Sequence, residues 1–369
     1  MSENARLHEV ITQSIHRHEN WLAFDLFMAA ALYTPELGYY SNSSQQFGAL
    51  PSSGSDYITA PVLSPYFGKA LAAQLQQALQ ATRTRTIWEF GAGSGALASH
   101  ILTALGDTLE RYIIVDLSAT LREQQRLTIQ RHVPEHAHKV HWIDQLPEKF
   151  SGVVVGNEVL DAMPVKLIHR LQGQWHERGV SLDATGQQFC WDDRPTSLHP
   201  PVTIEGHADY LTELPLQAEG FIRTLADRME CGAAFFIDYG FPEHEFYHPQ
   251  RSMGTLMCHR LHKADTDPLV DVGLKDITAH VNFTGIALAA QESGMDVLGY
   301  TTQAHFLLNC GMLDLLPQDQ SHASLAARSA AFKLIGEHEM GEIFKVIALG
   351  KNCDLDPLGF ANGDRTHTL

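Results

Sequence analysis

"TIWEFGAGSGALASH", residues 86–100, decides the fold. A short, mostly apolar run enters a turn with glycine at Gly91, Gly93 and Gly95, and an alanine-rich stretch follows. Strand, glycine turn and helix in that order open a nucleotide-binding βα unit. The alternation continues outward. "YIIVDL" reads as a second strand, Ser118 caps a helix over "ATLREQQRLTIQRH", and "KVHWI" and "GVVVG" read as further strands. Apolar strands alternating with helices imply an α/β fold with a doubly wound, mostly parallel sheet.

Glu89 sets the ligand. It stands two residues before Gly91, at the tip of the first strand. The turn matches the loose dinucleotide fingerprint, but a carboxylate there repels a diphosphate laid over the glycines. S-adenosylmethionine carries no phosphate; its ammonium and sulfonium are both positive. The acid therefore favours the methyl donor over NAD. Asp116, 21 residues past Gly95, can accept both ribose hydroxyls, with Leu117 beside it as a further donor contact; an NAD enzyme uses the same acid. The alternative role of Asp116 is to cap the helix from residue 119 together with Ser118. Asp144, after the third strand, reaches either toward an adenine amino group or into a turn before Pro147. The fourth strand ends in Asn157 and Glu158, with Asp161 close behind. Polar groups at that tip can hold a nucleophilic nitrogen in line with a donor methyl, or satisfy turn amides before Pro164. Asp238 and Tyr239 end another apolar run, "AAFFIDYG", and either complete the cleft, with Asp238 among the reacting groups, or simply end the strand before Gly240.

Elsewhere residues 1–35 read as helical, 36–61 as a long loop, and Ser64-Pro65 as a helix start. Residues 165–205 look antiparallel, 241–285 loop-rich, 284–293 and 303–337 helical, and 296–300 and 342–351 strand-like. The expected division is 1–82 as a helical extension with a donor-covering loop, 83–164 and 230–351 as the core, 165–229 as an insert and 352–369 as a frayed tail.

Composition excludes several classes. The net charge of −17 leaves no basic stripe for nucleic acid. Five scattered cysteines without a C-x-x-C pair fit a reducing compartment. The start "MSENARLHEV" shows no secretory or transit pattern, and no apolar window is long enough to span a bilayer, so a cytoplasmic location is expected. "HKADTDPLVDVGLKDITAH" fails as a calcium loop, with Leu269 and Val270 where a ligand and a glycine belong; no metal is expected.

Taken together, "ALYTPELGYY", "DYITAPVLSPYFGKALA", "WEFGAGSGALA", "NEVLDAMPV", "IDYG" and "PLVDVGLKDITAHVNF" resemble the MidA-like family, methyltransferases associated with assembly of respiratory complex I. The resemblance implies a class I, Rossmann-like, seven-stranded fold with a helical N-terminal extension. It also implies methylation of a protein arginine, S-adenosyl-L-methionine as donor and S-adenosyl-L-homocysteine as product. Carried over, Gly91, Gly93 and Gly95 bind the donor, Asn157, Glu158 and Asp161 form the fourth-strand motif, and Thr59 and Pro61 lie in a loop near the donor. The chain departs from the family at Val62 and Asn282, both usually acidic. Glu158 is the expected guanidinium anchor, with Asp161 second. Other acceptors, a donor-holding assembly factor without turnover and an NAD oxidoreductase are the competing readings.

Overall fold

The computed structural model describes residues 3–42, 59–206 and 208–369, whose contacts form two units. One comprises residues 58–160, 221–240 and 283–369. Its strands, among the described residues, are β1 (Thr86–Phe90), β2 (Arg111–Val115), β3 (Val140–Ile143), β4 (Phe150–Asn157), β5 (Met229–Phe241), β6 (Asp296–Thr302) and β7 (Phe344–Lys351). They lie in the order β3-β2-β1-β4-β5-β7-β6. All neighbours are parallel except β7, which is antiparallel to both β5 and β6. The chain runs outward from β1 through β2 to β3 and returns to β4 on the other side of β1. This reversal opens a crevice beyond the carboxyl ends of β1 and β4, where open α/β sheets bind ligands.

Every residue of β1 is buried, as a strand covered on both faces requires. The helices α1 (Pro65–Thr82), α2 (Ala96–Leu105) and α3 (Ala119–His132) follow the sequence expectation closely. Ser64 caps α1 by accepting the Tyr66 amide at 3.4 Å, and Ser118 caps α3 by accepting the Leu121 amide at 3.3 Å. Phe67, Leu71, Leu75 and Leu79 recur at helical spacing along α1 and enter one core with Ile87, Ile101, Val153 and Phe235. That stripe makes α1 part of the sheet unit rather than of an N-terminal extension ending at residue 82. The tail is also ordered, where fraying was expected. Phe360 meets Phe306 edge-on at 5.5 Å, Asn309 donates to the Gly359 and Asn362 carbonyls at 2.9 and 2.8 Å, and Gln74 accepts the Gly359 amide at 2.7 Å.

The second unit comprises residues 1–57, 161–220 and 241–282. Helices Glu3–Arg17 and Phe24–Tyr33 pack Leu7, Ile11, Ile15, Phe27 and Met28 against Leu167 and Val180 of an antiparallel sheet. That sheet holds Lys166–Leu171, Gln174–Leu182, Phe189–Pro195 and Tyr210–Leu214, the antiparallel character read for 165–205. The segment read as loop contributes a small sheet in which Met257–Arg260 pairs with Lys263–Asp265 and Asp276–Thr278. Cys258 and Ile277 join the unit's core from there. Residues 241–282 thus fold with the N-terminal helices, a long-range pairing that local sequence pattern does not encode.

Candidate active site

The glycine turn after β1 needs its glycines. Gly91, Gly93 and Gly95 have φ of 62°, 50° and 81°, a left-handed conformation that side chains disfavour. A Cβ on Gly95 would stand 3.0 Å from the Gln125 Cα, so α3 presses against the loop. Gly95 is also the N-cap of α2, so the first-turn amides of that helix have no side-chain cap. The short turn Ala60–Leu63 packs against α2. Thr59 precedes it and accepts the Leu63 amide at 2.9 Å, and Pro61 is buried within it. The remainder of the expected donor-covering loop, residues 43–58, lies outside the described residues.

Glu89 is 1% exposed and its Oε2 accepts the Tyr112 hydroxyl at 2.7 Å. Burial, with a smaller contribution from the Asp116 charge, pushes its carboxyl up to about 8 against the pull of that hydrogen bond. Burial thus favours the protonated form of Glu89 in the free chain, against the expectation of a standing anion. A cation brought beside it draws the proton off; a phosphate cannot.

Asp116 sits at the end of β2. Its Oδ1 accepts the Ser118 amide at 2.8 Å and its Oδ2 accepts the Gln125 amide nitrogen at 2.7 Å. Burial raises its carboxyl pKa while these hydrogen bonds oppose the rise. A carboxylate has about four acceptor sites, so two hydroxyls can still be received. Both roles read for Asp116, helix entry and ribose acceptor, are compatible. Leu117 next to it is 76% exposed, an apolar face at the crevice rim. Asp144 is exposed in the bend after β3, at the margin of the cluster.

Sequence reasoning missed Gln125. Its amide nitrogen also donates to the Gly93 carbonyl at 3.1 Å, while its oxygen accepts the Trp142 indole N–H at 2.9 Å. Nothing in "REQQRL" marks one glutamine over its neighbour; only the docking of α3 selects it.

At the tip of β4, Asn157 donates to Glu158 Oε1 at 3.0 Å. The Asn157 side chain is more than nine-tenths buried, and its Oδ1 has no hydrogen-bond partner among the described residues. A buried acceptor so placed suits an N–H donor of a ligand. Glu158 has φ of 54°, a strained backbone for a non-glycine residue, costing on the order of 1–3 kcal/mol. Its amide donates to the Ile237 carbonyl at 2.9 Å. Asp238, expected among the reacting groups, is instead committed to the backbone. Its Oδ2 accepts the Val159 and Leu160 amides at 3.1 and 2.9 Å, and its Oδ1 accepts the Tyr239 amide at 3.0 Å. It braces the tip that carries Glu158.

Asp161 belongs to the other unit. It is 4% exposed, and its carbonyl accepts the Ala279 amide at 3.0 Å. With Asp276 it adds to the burial that pushes the Tyr33 phenol well above its usual range. Asn282, the departure from an acid, hydrogen-bonds the Glu243 carboxyl, which burial raises. A second carboxylate there would add repulsion to that burial.

Glu89, the three glycines, Asp116, Asn157, Glu158 and Asp238 thus gather at one edge of one sheet. Two carboxyls in electrostatic reach of each other, an unmatched buried acceptor and a glycine turn backed by a helix N-terminus fit an adenosine-bearing, phosphate-free cation. Residues 70–301 match the S-adenosyl-L-methionine-dependent methyltransferase family, and the chain belongs to it. A crystal structure from Burkholderia thailandensis, bound to S-adenosyl-homocysteine, is 48% identical with a TM-score of 0.95, covering 100% of this chain and 97% of that one. Protein arginine methyltransferase NDUFAF7, mitochondrial, of Danio rerio is 27% identical over 366 residues, covering 88% of this chain and 82% of the relative. The Caenorhabditis elegans homolog is 25% identical over 316 residues, covering 78% and 72%. The class I methyltransferase fold and S-adenosyl-L-methionine as the donor follow. The cytoplasmic location does not hold, because the fish, worm and fly relatives are all named mitochondrial. No helix among the described residues is long and apolar enough to cross a membrane.

Proposed function

We propose that the chain methylates an arginine side chain of a protein, with Glu158 as the guanidinium anchor. The carrying observation is the strained Glu158 backbone at the tip of β4, held by the Ile237 carbonyl and braced through Asp238. Strain is retained where the surroundings over-determine it, most often at working sites. The names of the worm, fish and fly relatives, each a protein arginine methyltransferase, support the same acceptor. The MidA-like resemblance adds a respiratory complex I subunit as the target protein.

When bound, S-adenosyl-L-methionine supplies an electrophilic methyl group on a sulfonium. The protein's own part is positional. Gly91, Gly93 and Gly95 let the backbone approach the donor, Glu89 and Asn157 Oδ1 meet its ammonium, and Asp116 meets its ribose. A guanidinium arrives charged, with a pKa above about 12, and its lone pairs are delocalised. Glu158 accepts two of its N–H groups in parallel and draws positive charge toward that edge, leaving the opposite nitrogen oriented for attack. Asn157 fixes the Glu158 carboxylate through Oε1.

The test is mass spectrometry of candidate proteins incubated with the full chain and S-adenosyl-L-methionine. Methylated arginine is expected with the parent chain and a loss of at least about 100-fold in rate with Glu158→Gln, at unchanged S-adenosyl-homocysteine affinity. Methyl groups found only on other acceptors, or donor binding with no transfer, would overturn the reading. Full-rate arginine methylation by Glu158→Gln would remove the anchor alone.

A further inference from the structure

We infer that Gln125 is a positioning residue for donor binding, linking the three strand tips that receive the adenosine part. The inference rests on the reading of Asp116 as the ribose acceptor. Gln125 lies on α3, outside the glycine turn and the strand-end acids, and is fully buried. Its side-chain amide makes hydrogen bonds to three separate strand ends. The Gly93 carbonyl belongs to the turn after β1, the Asp116 carboxylate ends β2, and Trp142 is on β3. One side-chain amide thus uses both its donors and its acceptor, which only glutamine or asparagine can do, and asparagine is one carbon shorter.

The choice of a neutral donor has a consequence for charge. Both Asp116 oxygens are held by uncharged N–H groups, from Ser118 and Gln125. The cation nearest by contact, Arg122, turns its guanidinium to the Asp116 backbone carbonyl, with Nε at 2.7 Å. The carboxylate plane is therefore oriented while its charge is not neutralised by a bidentate ion pair, and it keeps acceptor capacity for paired hydroxyls. Gln125 also bounds the loop from the other side, since its Cα lies 3.0 Å from where a Cβ of Gly95 would stand. Removing the amide frees the Asp116 carboxylate to rotate and leaves the Gly93 carbonyl and the Trp142 indole without this partner. The ribose and adenine contacts loosen, and the reacting methyl, bound through other residues, does not.

The experiment uses the full chain with two probes, S-adenosyl-homocysteine and 5′-methylthioadenosine, which shares the ribose and adenine but lacks the amino acid. Gln125→Met, of similar volume, is expected to weaken both roughly 10- to 100-fold, the loss of a hydrogen bond to a charged group. Glu89→Gln is expected to weaken S-adenosyl-homocysteine only. In turnover, Gln125→Met raises the donor KM and leaves kcat within about twofold, as removal of uniform binding does. Gln125→Glu, which preserves shape and the Trp142 acceptor, is expected to recover affinity as pH falls and its carboxyl gains a donor proton. Unchanged affinity for both probes in Gln125→Met would overturn the inference, as would an equal fall in kcat with KM unmoved. Asp116→Asn binding both probes normally would instead overturn the ribose reading on which it rests.

Discussion

Replacing Glu89 with glutamine should stabilise the free protein in a pH-dependent way. The carboxyl is 1% exposed and raised from 4.5 to about 8, chiefly by burial. Between those values the folded chain keeps a proton that the unfolded chain has lost. Stability then falls as pH rises, by 1.36 kcal/mol for each pH step. Across the interval of about 3.5 the whole loss is roughly 5 kcal/mol, an upper limit because a buried site relaxes. It is negligible below about pH 4.5 and complete above about pH 8. Glutamine has no proton to lose and can still accept the Tyr112 hydroxyl. Variant and parent should therefore melt together near pH 5. By pH 8 the variant should melt several degrees higher, at about 2 °C per kcal/mol for a chain of this size. Scanning calorimetry at pH 5, 6, 7 and 8 reads the gap directly. A gap that stays constant over this range would refute a protonated Glu89 in the free chain. The same carboxyl should give up its proton when a ligand ammonium arrives. Titration of S-adenosyl-homocysteine at pH 6.5, in two buffers of different ionisation enthalpy, should show close to one proton released by the parent and none by Glu89→Gln.

Two further perturbations separate bracing from chemistry. Asp238→Asn keeps the size but replaces one of the oxygens facing the Val159, Leu160 and Tyr239 amides with an NH2 group; chemical denaturation should show a loss of roughly 2–4 kcal/mol. Glu158→Gly relieves the left-handed strain at φ 54° and should raise stability by up to about 1 kcal/mol while abolishing methyl transfer, so denaturation and activity should move in opposite directions.

Much of the fold was legible in the chain because its signals are local. Continuous apolar runs, glycines at 91, 93 and 95, and serine caps at 64 and 118 each act within a few residues, so strand, turn and helix follow from neighbours in sequence. The chemistry of the cofactor was legible for the same reason: Glu89 lies two residues from the turn it serves. What only tertiary structure decided depends on partners far away along the chain. Asp238 was read as a reacting group and proves to hold amides some 80 residues earlier, because parallel β4 and β5 bring the two tips together. Gln125 is one polar residue among several on α3 until that helix packs on the sheet and aims it at Gly93, Asp116 and Trp142. Residues 241–285 read as loop because the strands within them are short, and the small sheet they form joins its core only through contacts with the N-terminal helices, far away in sequence. Glu89 is an acid in the sequence and a carboxyl whose protonated form burial favours in the fold, since its charge depends on how much water the surrounding core removes.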